Sequence, residues 1–178
     1  WWCRYWQYSD YELVDLARHF KDLDIPADVM IIDMDWHETW APDEYPGLKD
    51  ESGEGLGWTG YTWDTQLFPN PSKFLNWLRN ERQLKVTLNL HPADGVRPFD
   101  TPYPAMAQHM GLDPSKGDHI PYLGSDKRFM TGLMDVVLRP MEKDGVSFWW
   151  LDWQQWPNDK ALTNLSNTWW INYVFFSD

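Results

Sequence analysis

Short apolar runs alternate with segments of helical periodicity, and this alternation limits the fold more than any other feature of the sequence. Runs with the length and composition of strands cover residues 1–6 (WWCRYW), 28–33 (DVMIID), 85–90 (KVTLNL) and 146–152 (VSFWWLD). A helical pattern follows each run, which gives the order βαβαβαβα. The later runs are almost continuously apolar, and such strands are typical of a parallel sheet that is buried on both faces.

Capping residues and prolines mark the expected ends of the helices. The expected boundary residues are Ser9 with Glu12 and then Pro26 for the first helix, Asn70 with Pro71 for the second, and Ser125 for the third. A serine followed three residues later by glutamate fits a capping box, and proline is well accommodated at the first helical position. A last helical pattern covers roughly residues 159–176.

Two α/β architectures share this order, the open doubly wound sheet and the (β/α)8 TIM barrel. The glycine-rich phosphate-binding turn of a dinucleotide fold is missing after every run. Long irregular stretches instead follow the second and third runs, at 34–69 and 91–124, and loops of such length are usually functional. Because barrel enzymes keep their active sites in the loops at the carboxyl ends of the strands, we expect a (β/α)8 barrel, of which four βα units form half.

The charge balance and composition exclude several classes of ligand. The net charge is −12 and Lys and Arg form no cluster, so we expect neither nucleic-acid binding nor attraction to an anionic membrane. No apolar run reaches the length of a membrane span, and the single cysteine, Cys3, excludes an intrachain disulfide. A neutral carbohydrate remains compatible, and 14 Trp, 8 Tyr and 8 Phe supply flat apolar faces for binding it.

Polar and aromatic side chains gather at the ends of three predicted strands. They are Asp33, Asp35, Trp36 and His37 after the second run, Asn89 and His91 around the end of the third, and Trp150, Asp152 and Trp153 at the fourth. Because the carboxyl ends of parallel strands lie at one rim of a barrel, we expect these side chains to converge there. Asp152 is the strongest candidate, since burying a carboxylate among indoles is costly unless it serves a purpose.

The residues after the second and third runs also have other interpretations. Asp33 or Asp35 would cap a loop or pair with an arginine in a purely structural role. Asp33, His37 and His91 would bind a metal in a less favoured alternative, because no third well-placed histidine accompanies them.

The tryptophans around Asp152 fit a sugar pocket. Trp149 and Trp150 are adjacent on a strand and point to opposite faces, and since Asp152 shares a face with Trp150, we expect Trp149 to pack in the core. Glycoside cleavage needs one carboxylate to attack the anomeric carbon and a second to protonate the leaving oxygen. A non-catalytic carbohydrate-binding protein would use the tryptophans without Asp152, and it stays an alternative.

Three blocks of the sequence resemble glycoside hydrolase family 31, in the correct order. They are IPADVMIIDMDWH, FPNPSKFLNWLRNERQLKVTLNLHP and DGVSFWWLDWQQ. Retaining α-glycosidases on a (β/α)8 barrel, such as α-glucosidases and α-xylosidases, dominate that family. The resemblance implies that Asp152 is the nucleophile and that Asp33 and Trp150 line the cleavage subsite. The further expected substrate contacts are Asp35, Trp36, His37, His91 and Trp153.

Two positions depart from the family pattern. The family commonly has an aspartate where this chain has His91, and a Met-Asn-Glu-like tail where this chain has Trp153-Gln154-Gln155. Both departures change the wall of the pocket. The resemblance also implies that the acid/base aspartate, together with an arginine and a later histidine, lies beyond Asp178.

We therefore expect residues 1–178 to form the N-terminal half of a family 31 catalytic barrel. The sequence begins without a methionine, inside a tryptophan-rich stretch, so we expect it to be part of a longer chain. With the rest of that chain it would cleave α-glycosidic bonds in a carbohydrate with retention, without a metal or organic cofactor. The fragment alone should lack turnover. A non-catalytic carbohydrate-binding barrel and a metal-dependent barrel hydrolase are the alternatives.

Overall fold

A computed structural model of the protein describes residues 1–38, 58–152 and 156–178. Within these residues the strands are β1 (Val29–Ile32), β2 (Lys85–Leu90) and β3 (Phe148–Leu151). The helices are α1 (Asp10–Asp22), α2 (Pro71–Arg82), α3 (Tyr103–Met110), α4 (Lys127–Gly132), α5 (Arg139–Asp144) and α6 (Asn167–Ser177). A π-helical segment, Leu133–Leu138, runs from α4 directly into α5.

The three strands form one parallel sheet in the order β1-β2-β3. β1 and β2 pair in the register that places Val29 opposite Lys85. The amide of Ser147, just before β3, donates a hydrogen bond of 2.8 Å to the carbonyl oxygen of Val86 in β2. Strands that are consecutive in the sequence are therefore neighbours in the sheet, as predicted for a series of βα units.

The prediction that residues 1–6 form a strand is wrong. Only Trp2 pairs with the sheet among these residues, through an isolated bridge to β1 in which its amide donates to the carbonyl oxygen of Val29 at 3.0 Å. Tyr5 and Trp6 are exposed. An aromatic run extends as a strand when one of its faces is buried, and in this run only Trp2 packs against the core.

The first two helices begin where their capping residues predict. Glu12 Oε2 accepts the amide hydrogen of Ser9 at 2.8 Å, and Ser9 Oγ accepts that of Glu12 at 3.3 Å, which completes the capping box of α1. Asn70 Oδ1 accepts the amide hydrogen of Lys73 at 3.0 Å, and Pro71 is the first residue of α2. These local signals are strong because each satisfies amides that the helix leaves without a partner.

Two later helices differ from the prediction at their N-termini. The cap of α4 is Asp126, whose carboxylate accepts the amide hydrogen three residues later at 2.7 Å, and not Ser125. Ser125 donates instead to the carboxylate of Asp159, 34 residues later in the chain. The last helix begins at Asn167, capped by the hydroxyl of Ser166, so the predicted start near residue 159 is wrong.

The chain divides into two compact units, of which the first contains residues 1–38, 62–89 and 140–150. Its core residues come from α1, α2, the sheet and the segments beside them: Leu13, Ala17, Met30, Ile32, Trp36, Phe68, Phe74, Leu75, Leu78, Leu84, Val86, Leu88, Met141 and Val146. Side chains alternate along a strand, so Thr87 and Asn89 of β2, which are also buried, lie on the opposite face of the sheet from this core.

The second unit contains the described residues within 39–61, 90–139 and 151–178. It includes α3, which lies inside the stretch that the sequence predicts to be a loop. Prolines near the start of α3 suggest a loop, but proline is compatible with the first turn of a helix. None of the helices in the described ranges combines the length and apolarity needed to cross a membrane.

Candidate active site

Asp152 directly follows β3, and its carboxylate is partly exposed. The amide of Asp152 donates a hydrogen bond of 3.1 Å to the carbonyl oxygen of Leu90, the last residue of β2. The side chain is 24% exposed. Its backbone is therefore fixed by strand pairing while its carboxylate stays open to a ligand, as expected for a reactive group at the carboxyl end of a parallel strand.

The imidazole of His91 contacts this carboxylate. His91 Nε2 lies 3.3 Å from Asp152 Oδ2, and the His91 side chain is only 1% exposed. The indole of Trp58 packs against the imidazole edge-on, with ring centroids 5.5 Å apart and planes at 72°. Sequence reasoning missed Trp58, because nothing near it in the sequence relates it to the end of β2. The available signal was an indole in a loop that follows a strand.

The segment after His91 is held by a network of charged side chains. Arg97 donates to both carboxylate oxygens of Asp94, at 2.6 and 2.8 Å. His119 Nε2 donates to the carbonyl oxygen of Asp94 at 2.6 Å. Burial lowers the pKa of His119 below its ordinary value, which favours the neutral ring in that role. Asp100 accepts the amide hydrogens of Arg97 and Tyr61, at 2.9 and 3.0 Å. The network therefore also fixes the backbone at Tyr61.

The two aspartates after β1 have different environments in the first unit. Asp33 is half-buried, and its Oδ1 accepts the amide hydrogen of Met34 at 2.8 Å, which caps a 3₁₀ turn over Met34–Trp36. Asp35 lies within that turn and is buried. The structural role expected for Asp33, the cap of a turn, is therefore present.

Trp36 and His37 lie in the interior of the first unit. Trp36 is 0% exposed and belongs to the core, where its ring packs edge-on against Trp63 with centroids 5.1 Å apart. His37 is also buried, and its Nδ1 lies 2.8 Å from the carbonyl oxygen of Glu38. Both were predicted to contact substrate. Neither side chain has exposed surface with which to contact a substrate, so Trp36 and His37 are not among the proposed substrate contacts.

The indoles of β3 divide between two faces. Trp149 packs against the core, as predicted, and its Nε1 donates to Glu142 Oε1 at 2.9 Å. Trp150 is half-buried and, by strand alternation, points to the other face. Trp153, which was also predicted to contact substrate, lies outside the described residues.

Among residues 1–38, 58–152 and 156–178, no three His, Cys, Asp or Glu side chains are grouped so as to hold a metal ion. The second unit offers a partly exposed carboxylate in contact with a buried imidazole. A carboxylate in that position can accept hydrogen bonds from a ligand or attack an electrophilic carbon.

Comparison with known proteins identifies the family to which this sequence is similar. The family model described as "Glycosyl hydrolases family 31 TIM-barrel domain" matches residues 1–173. Among solved structures, xylosidase from Aspergillus niger is similar with a TM-score of 0.54 and 20% sequence identity, over 82% of this chain and 19% of that chain. The chain thus spans less than two thirds of that xylosidase's length. No curated protein matches the chain significantly. The family match confirms the predicted (β/α)8 fold class.

Proposed function

Because the chain belongs to glycosyl hydrolase family 31, we propose that the complete protein is a retaining α-glycosidase and that Asp152 is its nucleophile. The observation that carries this proposal is the position of Asp152. It follows the carboxyl end of a parallel strand, its backbone is fixed to Leu90, and its carboxylate is partly exposed beside His91. A nucleophile needs this combination, since it must be accessible to the substrate and held in one place.

The reaction runs in two displacements at the anomeric carbon. In the first, a carboxylate oxygen of Asp152 bonds to that carbon while the bond to the leaving oxygen breaks, and a general acid protonates the leaving oxygen. In the second, water that has lost a proton to the same acid/base group attacks the anomeric carbon and releases Asp152 as a carboxylate. Two inversions give net retention. We propose, as the family resemblance implies, that the acid/base residue belongs to a part of the protein after Asp178.

Asp33 and Trp150 are the proposed sugar contacts in the cleavage subsite. Asp33 is half-buried, and a carboxylate is a strong hydrogen-bond acceptor for sugar hydroxyl groups. Trp150 is half-buried, so part of its indole is available for the apolar face of a pyranose ring. The structural neighbour is named a xylosidase, and we therefore propose α-xylosides and α-glucosides as the first substrates to test.

Mechanism-based labelling tests the proposal in the complete protein. A 5-fluoro or 2-fluoro glycosyl fluoride of the accepted sugar should form a stable adduct, because the ring fluorine slows both displacements while the fluoride leaving group speeds only the first. Peptide mapping should place the label on Asp152. Asp152→Ala should abolish turnover, and azide should restore part of it by giving a glycosyl azide of the opposite anomeric configuration. A label on Asp33 or Asp35, or full activity of Asp152→Ala, would reject the assignment.

A further inference from the structure

We propose that His91 is a positioning residue that holds the carboxylate of Asp152 in the orientation needed for attack. His91 Nε2 lies 3.3 Å from Asp152 Oδ2, and this contact limits the rotation of the carboxylate. This inference rests on the proposed function, because it assigns a partner to the nucleophile. It also replaces the expectation from the sequence that His91 itself contacts the substrate.

The burial of His91 separates these two roles. With 1% of its side chain exposed, the imidazole has no surface to offer a sugar hydroxyl, whereas the carboxylate 3.3 Å away is 24% exposed. Trp58 packs against the ring, and the buried Pro92 follows directly in the chain. The imidazole is therefore enclosed, and the more exposed group in this pair is Asp152.

The end of β2 holds Asp152 at two points. The carbonyl oxygen of Leu90 accepts the amide hydrogen of Asp152, and the next residue in the chain, His91, contacts the carboxylate. Without the second contact, a partly exposed carboxylate can rotate about its side-chain bonds while the backbone stays in place. A reacting group that is misplaced by about 1 Å can lose about 100-fold in rate. The imidazole therefore acts on the reaction through the orientation of Asp152.

Three variants of the complete protein separate positioning from packing. His91→Leu removes the polar contact with Asp152 and keeps an apolar side chain in the buried site, while His91→Gln keeps a polar N–H group that can contact the carboxylate. His19→Leu is the matched control, because His19 is exposed on α1, outside the proposed site. For each variant we would measure kcat and KM on an aryl α-glycoside, the rate of labelling by the fluoro sugar, and the melting temperature. Rates are normalised to the folded fraction, and His91→Met replaces His91→Leu if the latter does not fold.

His91→Leu should lower kcat and the labelling rate by about 100-fold with KM changed less than about 3-fold, because only the attacking group is misplaced. His91→Gln should recover to within about 10-fold of the wild type. The inference is rejected if His91→Leu labels Asp152 at the wild-type rate, or if His91→Gln is as slow as His91→Leu at equal folded fraction. A wild-type protein that is labelled elsewhere than Asp152 would instead reject the proposed function.

Discussion

The indole nitrogen of Trp36 donates a hydrogen bond of 2.8 Å to the main-chain carbonyl oxygen of Asn89. Trp36 belongs to the turn after β1 and Asn89 to the neighbouring strand β2, so this bond fixes the turn that begins at Asp33 against the adjacent strand. Both residues are 0% exposed. A donor and an acceptor removed from water in this way are costly to separate.

Trp36→Phe should therefore lower the free energy of unfolding by about 2–4 kcal/mol, the sum of an unsatisfied buried carbonyl and a smaller ring in a closed core. Trp63→Phe is the control, since Trp63 is half-buried and packs on the Trp36 ring. Trp63→Phe should lower the free energy of unfolding by less than Trp36→Phe does. Thermal melting of the complete protein measures the loss, and KM should stay within about 3-fold if Trp36 only supports the site. A variant with unchanged stability and a KM raised tenfold would show that Trp36 contacts the substrate after all.

A second prediction concerns Gly95, four residues after His91. Its φ is 75°, and a Cβ built there would lie 2.1 Å from the carbonyl oxygen of Ile120. That oxygen accepts the amide hydrogen of Val96 at 2.8 Å, so it cannot move away without breaking a bridge between two loops. Gly95→Ala should thus combine backbone strain with a steric clash, and lower the free energy of unfolding by more than about 2 kcal/mol.

Gly117→Ala is the matched control for Gly95→Ala. Its φ of 66° is equally unfavourable for alanine, but the nearest atom to a Cβ there is 3.8 Å away, at Pro98. Gly117→Ala should cost about 1 kcal/mol, the backbone component alone. Equal losses of stability in the two variants, measured by denaturant unfolding, would contradict the clash at Gly95.

The sequence predicts the elements whose signals are local and misses those that depend on distant residues. β2 and β3 are found because their apolar and β-branched or aromatic residues are typical of strands, and Ser9 and Asn70 are found because a cap acts within three residues. The run at 1–6 is also rich in aromatic residues, but only Trp2 of this run packs against the core, which its composition does not reveal. Ser125 fails as a cap because its hydroxyl donates to Asp159, a residue that only the folded chain brings near.

The same distinction applies to the candidate site. Asp152 is predictable, because its place after an apolar strand defines its position at the carboxyl end of the sheet. The contact between His91 and Asp152 depends on the register of β2 and β3, which places the amide of Asp152 on Leu90. The burial of Trp36 depends on a 3₁₀ turn that directs the side chain back into the core. Neither register nor turn direction is visible in the sequence.

Two separate variants, Asp33→Asn and Asp33→Ala, distinguish a role of Asp33 in sugar binding from its role in capping the turn. Asp33→Asn keeps an oxygen that can accept the amide hydrogen of Met34, while it loses the negative charge. It should leave the melting temperature near that of the wild type and still reduce kcat/KM, because a charged hydrogen bond is stronger in the transition state than a neutral one. Asp33→Ala should lose roughly 2–4 kcal/mol of transition-state stabilisation and also some stability. If both variants had kinetic constants near those of the wild type, the only role of Asp33 would be to cap the turn.

The last prediction concerns the pH dependence of stability at Asp159, which is 4% exposed. Burial alone would raise the pKa of Asp159, but hydrogen bonds to the carboxylate outweigh it and hold the pKa below its ordinary value. The donors are the hydroxyl and amide of Ser125, at 2.6 and 3.0 Å, and the amides of Ala161 and Leu162, at 2.9 and 2.8 Å. Each bond favours the ionised carboxylate, which therefore ties the start of α4 to the segment before α6.

A lowered pKa means that the unfolded state binds more protons than the folded state as the pH falls, so the folded protein loses stability there. The contribution of Asp159 is complete above its unfolded pKa and is lost as the pH falls through its folded pKa. Asp159→Asn should lower the free energy of unfolding at pH 7 by about 1.5–3 kcal/mol, and this difference from the wild type should shrink below about pH 4. Asp113→Asn is the control, because Asp113 accepts comparable bonds from Ser115 on the exposed surface and should lose less. Melting temperatures of the two variants between pH 3 and 7 measure this, and a deficit in Asp159→Asn that stays constant over that range would contradict the ionic role of Asp159.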